Sequence, residues 1–332
     1  MRIAVLGAGA VGGTVAALLD RAGHDVEVTA RGEHLAAIRR SGLRLDGAWG
    51  EHTAWVRCGE TLDLAPELAV VCTKAQDAED ALRANRRTVD GTLVVVVQNG
   101  LDGLQAAARQ VRDARLVGAL ALFAASHLEP GRVSVTAAAL TTLGVPGRPA
   151  DDDVRRAAVV LGEAIPTETT DDFVGAQWTK LLINEVNALP AITGLSVQET
   201  VADPGLRRVL ARALREAART GIAAGVRFGT LQGLSHGSIR ALAAAPLPVV
   251  ELLPRRMAAG MGEVPNPGST LQSIRRGVPS EIDHLAGAVV RTAERGGREA
   301  RVNQLLVELV HEVERTGVFL PPADVVRRAA LV

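Results

Sequence analysis

The stretch MRIAVLGAGAVGGTVAALL, residues 1–19, decides the fold of this chain. An apolar run that is typical of a strand leads directly into Gly7, Gly9 and Gly12, and a helical pattern follows. Gly7 permits a tight turn, Gly9 lets the backbone approach a pyrophosphate, and Gly12 allows a helix to pack closely on a strand. The first N–H groups of that helix would face the phosphates, because they have no partner within the helix. The stretch therefore predicts a strand, turn and helix that bind a dinucleotide.

A second predicted strand, residues 25–30, distinguishes this unit from a turn that is merely rich in glycine. About 20 positions after the glycines, an acidic residue would bind the ribose 2′-hydroxyl of NAD, whereas an arginine accommodates the 2′-phosphate of NADP. The residue near that position is Arg31. We therefore predict NADP(H) over NAD(H). Two alternatives stay open: Arg31 is an ordinary exposed arginine at a helix start, or Glu27 or Glu33 contacts the ribose.

Two further apolar runs, residues 68–73 and 92–97, have the continuous hydrophobic character of strands that are covered on both faces of a parallel sheet. Lys74 follows the first run and Asn99 follows the second. Because ligands bind at the carboxyl ends of such strands, we expect both side chains on the same edge as the glycine turn. For Lys74 the alternative is a surface lysine that opens a helix.

Strand patterns continue to about residue 171, with apolar stretches at 116–124, 132–136 and 140–145 that read as extensions of the sheet. Long amphipathic patterns then replace them. We predict an α/β fold, with an amino-terminal Rossmann-type doubly wound parallel sheet in residues 1–171 and a second, all-helical domain in residues 172–332. The main predicted helices of the second domain are 178–193, 204–225, 248–261, 281–295 and 301–316.

Only two residues of the chain are lysine, Lys74 and Lys180, although Lys and Arg together number 37. An ammonium group can lower its pKa and donate a proton when it is desolvated, whereas guanidinium stays protonated. On an ideal α-helix, Asn184 lies about 40° from Lys180 around the axis and Asn187 about 20° to the other side. This polar stripe on an apolar helix indicates a cavity lining for chemistry. Chance survival of the lysines and core hydrogen bonding by the asparagines are the alternatives.

Composition argues against several classes of partner. The formal net charge is zero and aromatic residues make up 2% of the chain, so neither a basic phosphate track nor a set of stacking rings is indicated for nucleic acid. The apolar runs are too short to cross a bilayer, and a strand stands where a cleavable leader would be, so we expect a cytoplasmic protein without membrane contact. The histidines and the two cysteines, Cys58 and Cys72, form no pattern typical of a metal site.

The chain resembles the ketopantoate reductases, also called 2-dehydropantoate 2-reductases, over almost its whole length. The order and spacing of several short segments carry this resemblance. These segments are Gly7-Ala8-Gly9-Ala10-Val11-Gly12, Arg31-Gly32, Thr73-Lys74, Gln98-Asn99-Gly100, Trp178-Thr179-Lys180-Leu181 with Asn184, Ser269-Thr270-Leu271-Gln272 and Glu281-Ile282-Asp283.

The resemblance implies NADPH-dependent reduction of 2-dehydropantoate to pantoate, a step of pantothenate and coenzyme A biosynthesis. Lys180 would be the general acid that protonates the carbonyl oxygen, and Glu281 would interact with it. Asn184 and Ser269 would hold the substrate. The partner implied is therefore a small 2-keto acid.

The resemblance also assigns the cofactor contacts. Arg31 would contact the 2′-phosphate, and Lys74 and Asn99 would lie close to both the nicotinamide and the substrate. Glu281 is expected near the cofactor as well. The phosphates would be held by the turn residues Gly7, Ala8, Gly9, Ala10, Val11 and Gly12.

Two departures from the family pattern leave the substrate open. The second asparagine of the lysine helix stands at Asn187, where better-known members have it one residue later, at the position of Ala188. Asn187 is still expected to contact the substrate. Arg301 stands near the usual position of a proline. A reductase of another 2-keto acid and a non-catalytic NADP(H)-sensing protein are the alternatives, and apolar residues of the carboxyl-terminal helices permit a homodimer.

Overall fold

In the computed structural model, which describes residues 1–262 and 264–332, every assigned strand lies before residue 170. The chain divides into two units, Met1–Phe173 and Val174–Val332. The sequence predicts the change of domain after residue 171. The strands are β1 (Arg2–Leu6), β2 (Asp25–Thr29), β3 (Leu43–Gly47), β4 (His52–Ala54), β5 (Arg57–Gly59), β6 (Leu68–Val71), β7 (Leu93–Val97), β8 (Arg115–Ala121), β9 (Ala124–Glu129), β10 (Arg132–Ala137), β11 (Thr141–Gly144) and β12 (Thr167–Thr169).

The main sheet of the first unit has eight strands in the order β12-β11-β8-β7-β6-β1-β2-β5. The strands from β8 to β5 are parallel, and β11 runs antiparallel to β8. Ile3 and Val5 of β1 belong to one hydrophobic cluster, whereas Ala4 and Leu6 belong to another on the opposite face. Covering on both faces explains the continuous apolar runs of the sequence. The predicted parallel α/β sheet is confirmed.

Six helices complete the first unit. The helix α1 begins directly after Gly9 and α2 directly after Arg31, as the turn signals predict. The six helices are α1 (Ala10–Arg21), α2 (Gly32–Ser41), α3 (Ala75–Ala84), α4 (Arg86–Val89), α5 (Gly103–Gln110) and α6 (Asp152–Gly162).

A second, four-stranded sheet has the order β4-β3-β10-β9, with β10 parallel to β3. It packs over α1 so closely that a Cβ on Gly13 would lie 2.8 Å from Val133 Cγ1. The interpretation of residues 132–136 as an extension of the main sheet is therefore wrong. The apolar side chains of β3 and β10 cover the face of α1 that points away from the main sheet. The run at 116–124 is likewise divided, because β8 ends at Ala121 and β9 of the second sheet begins at Ala124.

Beyond residue 172 the structure is helical, which confirms the predicted helical second domain. The helices are α7 (Phe173–Asn184), α8 (Ala188–Thr193), α9 (Val197–Ala202), α10 (Pro204–Ala223), α11 (His236–Ala244), α12 (Leu247–Val250), α13 (Leu252–Ala259), α14 (Gly268–Arg275), α15 (Ala286–Arg295), α16 (Arg301–Thr316) and α17 (Pro322–Ala329).

Two of the predicted helices are interrupted by single turns of 3₁₀ helix. The predicted helix 178–193 is not continuous, because the 3₁₀ turn Glu185–Asn187 separates α7 from α8. The predicted helix 281–295 is also wrong at its start, where the 3₁₀ turn Ile282–His284 precedes α15. The backbone of Leu285 lies outside the helical region, at φ −102° and ψ −101°, and this keeps the two segments apart.

Candidate active site

The glycine turn follows β1 and has the shape of a phosphate cradle. Gly7 has φ +94°, and a Cβ there would lie 2.7 Å from Thr73 Cγ2. A Cβ on Gly12 would overlap the carbonyl oxygen of Gly7, so both positions require glycine for the turn itself. A Cβ on Gly9 would meet no atom within 4 Å. Gly9 therefore leaves open space beside the backbone, as the approach of a pyrophosphate requires.

The amino end of α1 suits an anion. Among the described residues no side chain caps this end, and the first turn of the helix contains no acidic residue. The backbone N–H of Gly13 donates to the carbonyl oxygen of Gly9 at 2.7 Å, which starts the helical hydrogen bonds at the turn. The preceding N–H groups have no acceptor within the helix, and the helix dipole favours negative charge there. Turn and helix together fit the pyrophosphate of a dinucleotide.

Two neighbouring elements hold the glycine turn in place. The N–H of Gly7 donates to Thr29 Oγ1 at 2.8 Å, and the N–H of Ala8 donates to the carbonyl of Thr29 at 2.9 Å. His34 Nδ1 accepts from the N–H of Gly131 at 2.8 Å, so the ring proton is on Nε2, which donates to the carbonyl of Ala8 at 2.6 Å. Sequence reasoning missed His34, and its position three residues after Arg31, the residue predicted to select the cofactor, is the one local signal for it.

The contacts of Glu27 decide between the residues predicted to select the cofactor. Its carboxylate accepts from the N–H of Asp63 at 2.7 Å and from the N–H of Leu64 at 3.3 Å, and only 4% of the residue is exposed. Glu27 therefore fixes the loop after β5 and is not a ribose acceptor. Arg31 is the exposed residue directly before α2, with exposed Glu33 in the first turn of that helix. The exposed guanidinium at the end of β2 fits a 2′-phosphate.

Lys74 and Asn99 lie at the same edge of the sheet as the glycine turn. β6 and β7 are paired in parallel register at Val71 and Val96, and each of the two polar residues follows three positions later. Both are half-buried. Val71 and Val96 lie side by side, and Lys74 and Asn99 each stand the same number of residues beyond them. This register agrees with the sequence prediction that both residues lie at one edge of the sheet.

The ends of β6 and β7 also carry buried polar atoms. Gln98 Nε2 donates to the carbonyl oxygen of Thr73 at 3.3 Å and links the two strand ends. Thr73 Oγ1 and Gln98 Oε1 are buried, and neither has a hydrogen-bond partner in the described part of the chain. A polar ligand at this edge would supply such partners, which agrees with the binding of a nucleotide there.

Lys180 is the buried amine of the helical unit. It lies on α7 among the buried side chains of Trp178, Leu181 and Leu182, and only 9% of the residue is exposed. Burial lowers the pKa of Lys180 to about 8, and the negative charge of Glu281 acts in the opposite direction. An ammonium group with this pKa is protonated at neutral pH and is a much stronger acid than an exposed lysine.

Glu281 is half-buried and directly precedes the 3₁₀ turn Ile282–His284. It does not open an α-helix, because α15 begins only at Ala286. Its carboxylate is near enough to Lys180 to raise the pKa of the amine against the effect of burial. The structure thus brings together the two residues that the resemblance pairs as the catalytic acid and its partner.

Asn184, Asn187 and Ser269 meet around the first 3₁₀ turn. Asn184 ends α7 and Asn187 ends the 3₁₀ turn, so the two amides stand three positions apart at the two ends of this turn. Asn187 Oδ1 accepts from the backbone N–H of Ser269 at 3.3 Å. Ser269 is an exposed residue in the first turn of α14. One oxygen of Asn187 is therefore used to hold α14, and a substrate contact by this residue stays a prediction.

The sequence model described as "Ketopantoate reductase PanE/ApbA" matches residues 3–147, and the model of the C-terminal part of that family matches residues 172–314. A 2-dehydropantoate 2-reductase from Halobacterium salinarum is 32% identical over 326 residues, which cover 96% of this chain and 100% of the relative. The chain belongs to the ketopantoate reductase family.

Other relatives of this ketopantoate reductase family member agree over the same length. A 2-dehydropantoate 2-reductase from Pyrococcus horikoshii is 27% identical, covering 96% of this chain and 99% of the relative. The crystal structure of a PanE/ApbA family ketopantoate reductase from Ralstonia eutropha JMP134 has a TM-score of 0.79 at 29% identity and covers 95% of this chain and 99% of that one. A D-mandelate dehydrogenase in complex with NADH also has a TM-score of 0.79, but at 20% identity it shows a common fold only.

One further feature of this family member concerns the start of α16. Arg301 stands near the position where the family usually has a proline. It is the exposed first residue of α16, a position where proline is favoured because its missing N–H is not needed.

Within residues 1–262 and 264–332, no three His, Cys, Asp or Glu side chains are grouped to hold a metal ion. None of the helices in those residues has the length and apolar character to cross a bilayer.

Proposed function

We propose that this chain reduces 2-dehydropantoate to pantoate with NADPH. Relatives named 2-dehydropantoate 2-reductase support the proposal because they align over nearly the full length of the chain. The main observation in support is the buried amine of Lys180. Its pKa is lowered to about 8 by burial, and the negative charge of Glu281 partly opposes this effect. When bound, NADPH supplies a hydride to the C2 carbonyl carbon of the keto acid.

Lys180 is the proton donor in this proposal. As hydride reaches C2, negative charge develops on the carbonyl oxygen, and an ammonium group both neutralises that charge and donates a proton. With its pKa lowered to about 8, Lys180 is protonated at neutral pH and gives up the proton easily. Glu281 favours the charged form of the amine, and this favours the return of a proton to Lys180 before the next turnover.

Binding is divided among the remaining residues. The glycine turn and the amino end of α1 hold the pyrophosphate, and Arg31 binds the 2′-phosphate. Lys74 and Asn99 contact the nicotinamide end of the cofactor and the substrate. Asn184 and Ser269 hold the keto acid. Asn187 contributes to substrate binding by accepting the hydrogen bond from Ser269 N–H, which positions α14. The chemistry is supported by the donor types: ammonium and amide groups suit a carboxylate and a carbonyl oxygen.

The test is a substrate screen that follows NADPH absorbance with purified protein. We expect 2-dehydropantoate to have the highest kcat/KM among 2-keto acids that differ in branching, with pyruvate as the unbranched control. NADH in place of NADPH should give a lower kcat/KM because it lacks the 2′-phosphate. Equal rates with all 2-keto acids would contradict the assignment to 2-dehydropantoate.

One observation favours a second candidate, a reductase of a different 2-keto acid. Asn187 stands one residue earlier than in better-known members, and its Oδ1 is bound to the N–H of Ser269 at 3.3 Å. A pocket built this way could differ in size around the keto acid. The same screen decides, because a larger or smaller keto acid would then give the highest kcat/KM. The cytoplasmic location and the homodimer stay predictions from the sequence.

A further inference from the structure

Glu185 carries a deeply buried carboxyl group. It opens the 3₁₀ turn between Asn184 and Asn187, and only 2% of the residue is exposed. Neither carboxyl oxygen has a hydrogen-bond partner among residues 1–262 and 264–332. An ionised carboxylate that is buried without a partner loses its hydration and gains nothing in exchange. The charged form of Glu185 is therefore strongly disfavoured at this position.

Among the described residues, the helices that pack most extensively on the 3₁₀ turn form no hydrogen bond or ion pair with Glu185. The turn packs against α8, α10 and α14. Helix α8 has no charged residue, and the charged residue of α14, Arg275, donates to the carbonyl of Gly194 at 3.2 Å. Every arginine of α10 is engaged elsewhere: Arg207 and Arg208 with Glu251, and Arg212, Arg215 and Arg219 with the carbonyls of Ala329, Ala245 and Ala243. Lys180 lies about 140° away from Glu185 around the helix axis.

The charged residue of α10 that acts electrostatically on Glu185 is an acid, Glu216. Its carboxylate accepts from the N–H of Val302 at 3.2 Å, from the N–H of Asn303 at 2.8 Å and from Asn303 Nδ2 at 2.8 Å. These bonds join the side chain of Glu216 to the amino end of α16. Burial, together with the repulsion from Glu216, raises the pKa of Glu185 to about 8.

Asn303 of α16 binds the same side chain of Glu216. It is 0% exposed, and its Nδ2 donates both to Glu216 Oε2 and to the carbonyl of Ala213, which sets the orientation of the amide. Its Oδ1 is buried and has no donor in the described part of the chain. The described residues therefore leave buried acceptor oxygens without a donor both on Glu185 and on Asn303. A neutral carboxylic acid can donate, whereas a carboxylate can only accept.

We propose that Glu185 is a positioning residue that works as a neutral acid, and that its proton keeps the 3₁₀ turn seated so that Asn184 and Asn187 are correctly oriented for the keto acid. Loss of the proton would set two negative charges against each other in the core. The turn would then move away from α10, and the bond from Ser269 N–H to Asn187 Oδ1 would be strained. Only the effect on the keto acid depends on the function proposed above.

The first test needs no substrate. Glu185→Gln keeps the shape of the neutral acid and cannot ionise. At pH 7 the infrared spectrum of the wild type should contain a protonated carboxylic acid C=O band that the Gln variant lacks, and the band should fade as the pH rises above about 8. Absence of such a difference band would overturn the proposal.

Thermal unfolding gives a second readout without substrate. The pKa of Glu185 is raised from 4.5 to about 8 on folding, so the unfolded chain releases a proton in this window that the folded chain retains. The stability of the wild type should therefore fall relative to Glu185→Gln as the pH rises from about 4.5 to 8, and the difference should stay constant above 8. A Tm difference that does not change with pH would contradict a retained proton.

Kinetics test the positioning role. The neutral fraction of an acid falls about tenfold for each pH unit above its pKa. The kcat/KM of Glu185→Gln divided by that of the wild type should be near one at pH 7 and about ten at pH 9. The change should come from a higher KM of the wild type at pH 9, with similar kcat values. Lys180 is common to both proteins, so its own titration cancels in the ratio. Glu185→Ala should raise KM already at pH 7, and the Gln variant should not.

A ratio that is the same at both pH values would refute the positioning role. If neither protein reduces any keto acid, the proposed function fails, and the proposal for Glu185 is then decided by the infrared band and the Tm profile. The Gln variant keeps the volume of the side chain, so it is informative even where the Ala variant does not fold.

Discussion

Asn187 accepts a hydrogen bond through Oδ1 from the backbone N–H of Ser269 at 3.3 Å, and this contact joins the end of the 3₁₀ turn to the start of α14. A Cβ on Gly268 would lie 2.5 Å from the same oxygen, so the two segments are in tight contact. The contact couples two residues that the sequence assigns to substrate binding.

Asn187→Ala should separate this contact from catalysis. The variant leaves the N–H of Ser269 without its acceptor, and because this group is only partly buried the loss should cost about 0.5–1.5 kcal/mol. We expect a lower Tm and a KM for the keto acid that is raised several-fold, with kcat less affected. Asn187→Asp keeps the acceptor and is the matched control, which should retain more of the stability. A KM equal to wild type in both variants would show that α14 is held by other contacts.

Lys180→Arg tests the general acid. The substitution keeps the positive charge but provides a poor proton donor, so kcat should fall by about 10² or more, as is typical for the loss of a general acid. The Kd of NADPH, measured by fluorescence titration, should be close to wild type and serves as the control for folding. Turnover at the wild-type rate would refute the assigned role.

The pH profile should show the titration of the same amine. A general acid must hold its proton, and the pKa of Lys180 is lowered to about 8, so kcat/KM should be constant near neutral pH and fall above about 8. In Glu281→Gln the charge that raises this pKa is lost, and the decline should begin at a lower pH. An unchanged profile in that variant would mean that Glu281 does not act on the amine during turnover.

Gly9→Ala and Gly12→Ala should differ in their effect on stability. A Cβ on Gly9 meets open space, so that variant should fold with a Tm near wild type but should bind NADPH at least about tenfold more weakly, because the methyl group occupies the approach of the pyrophosphate. A Cβ on Gly12 overlaps the Gly7 carbonyl, so that variant should lose both Tm and binding. Tight NADPH binding by Gly9→Ala would contradict a phosphate site at the turn.

Arg31→Ser should change cofactor selection. A hydrogen bond to a charged group is worth about 1.5–3 kcal/mol, so the KM for NADPH should rise about 10- to 100-fold while the KM for NADH changes little. Glu27→Gln is the control, because the carboxylate holds Asp63 and Leu64 and should affect Tm without changing the preference. An equal rise of both KM values would indicate that Arg31 supports the fold and does not contact the 2′-phosphate.

Much of the nucleotide half was predictable from local sequence. The short-range signals were the glycine spacing after β1, the apolar runs and the polar residues at strand ends. They predicted the parallel sheet and placed Lys74 and Asn99 at its edge. The lysine helix was also recognised from its period. The second sheet was missed because β3 pairs with β10, which lies far away in the sequence. A local sequence pattern can indicate a strand but not the strand with which it pairs.

The sequence by itself determined the dinucleotide turn, the apolar strands of the parallel sheet, the helical character of the second domain, and the residue types that can transfer a proton or bind phosphate. These properties depend on backbone preferences and on the period of apolar residues, which act over a few positions. The tertiary structure alone decided that Glu27 holds a loop, that a 3₁₀ turn stands between Asn184 and Asn187, and that the carboxyl group of Glu185 is buried within reach of the charge of Glu216. Hydrogen-bond partners and protonation states depend on burial and on neighbours from distant segments, and only the folded chain brings those groups together.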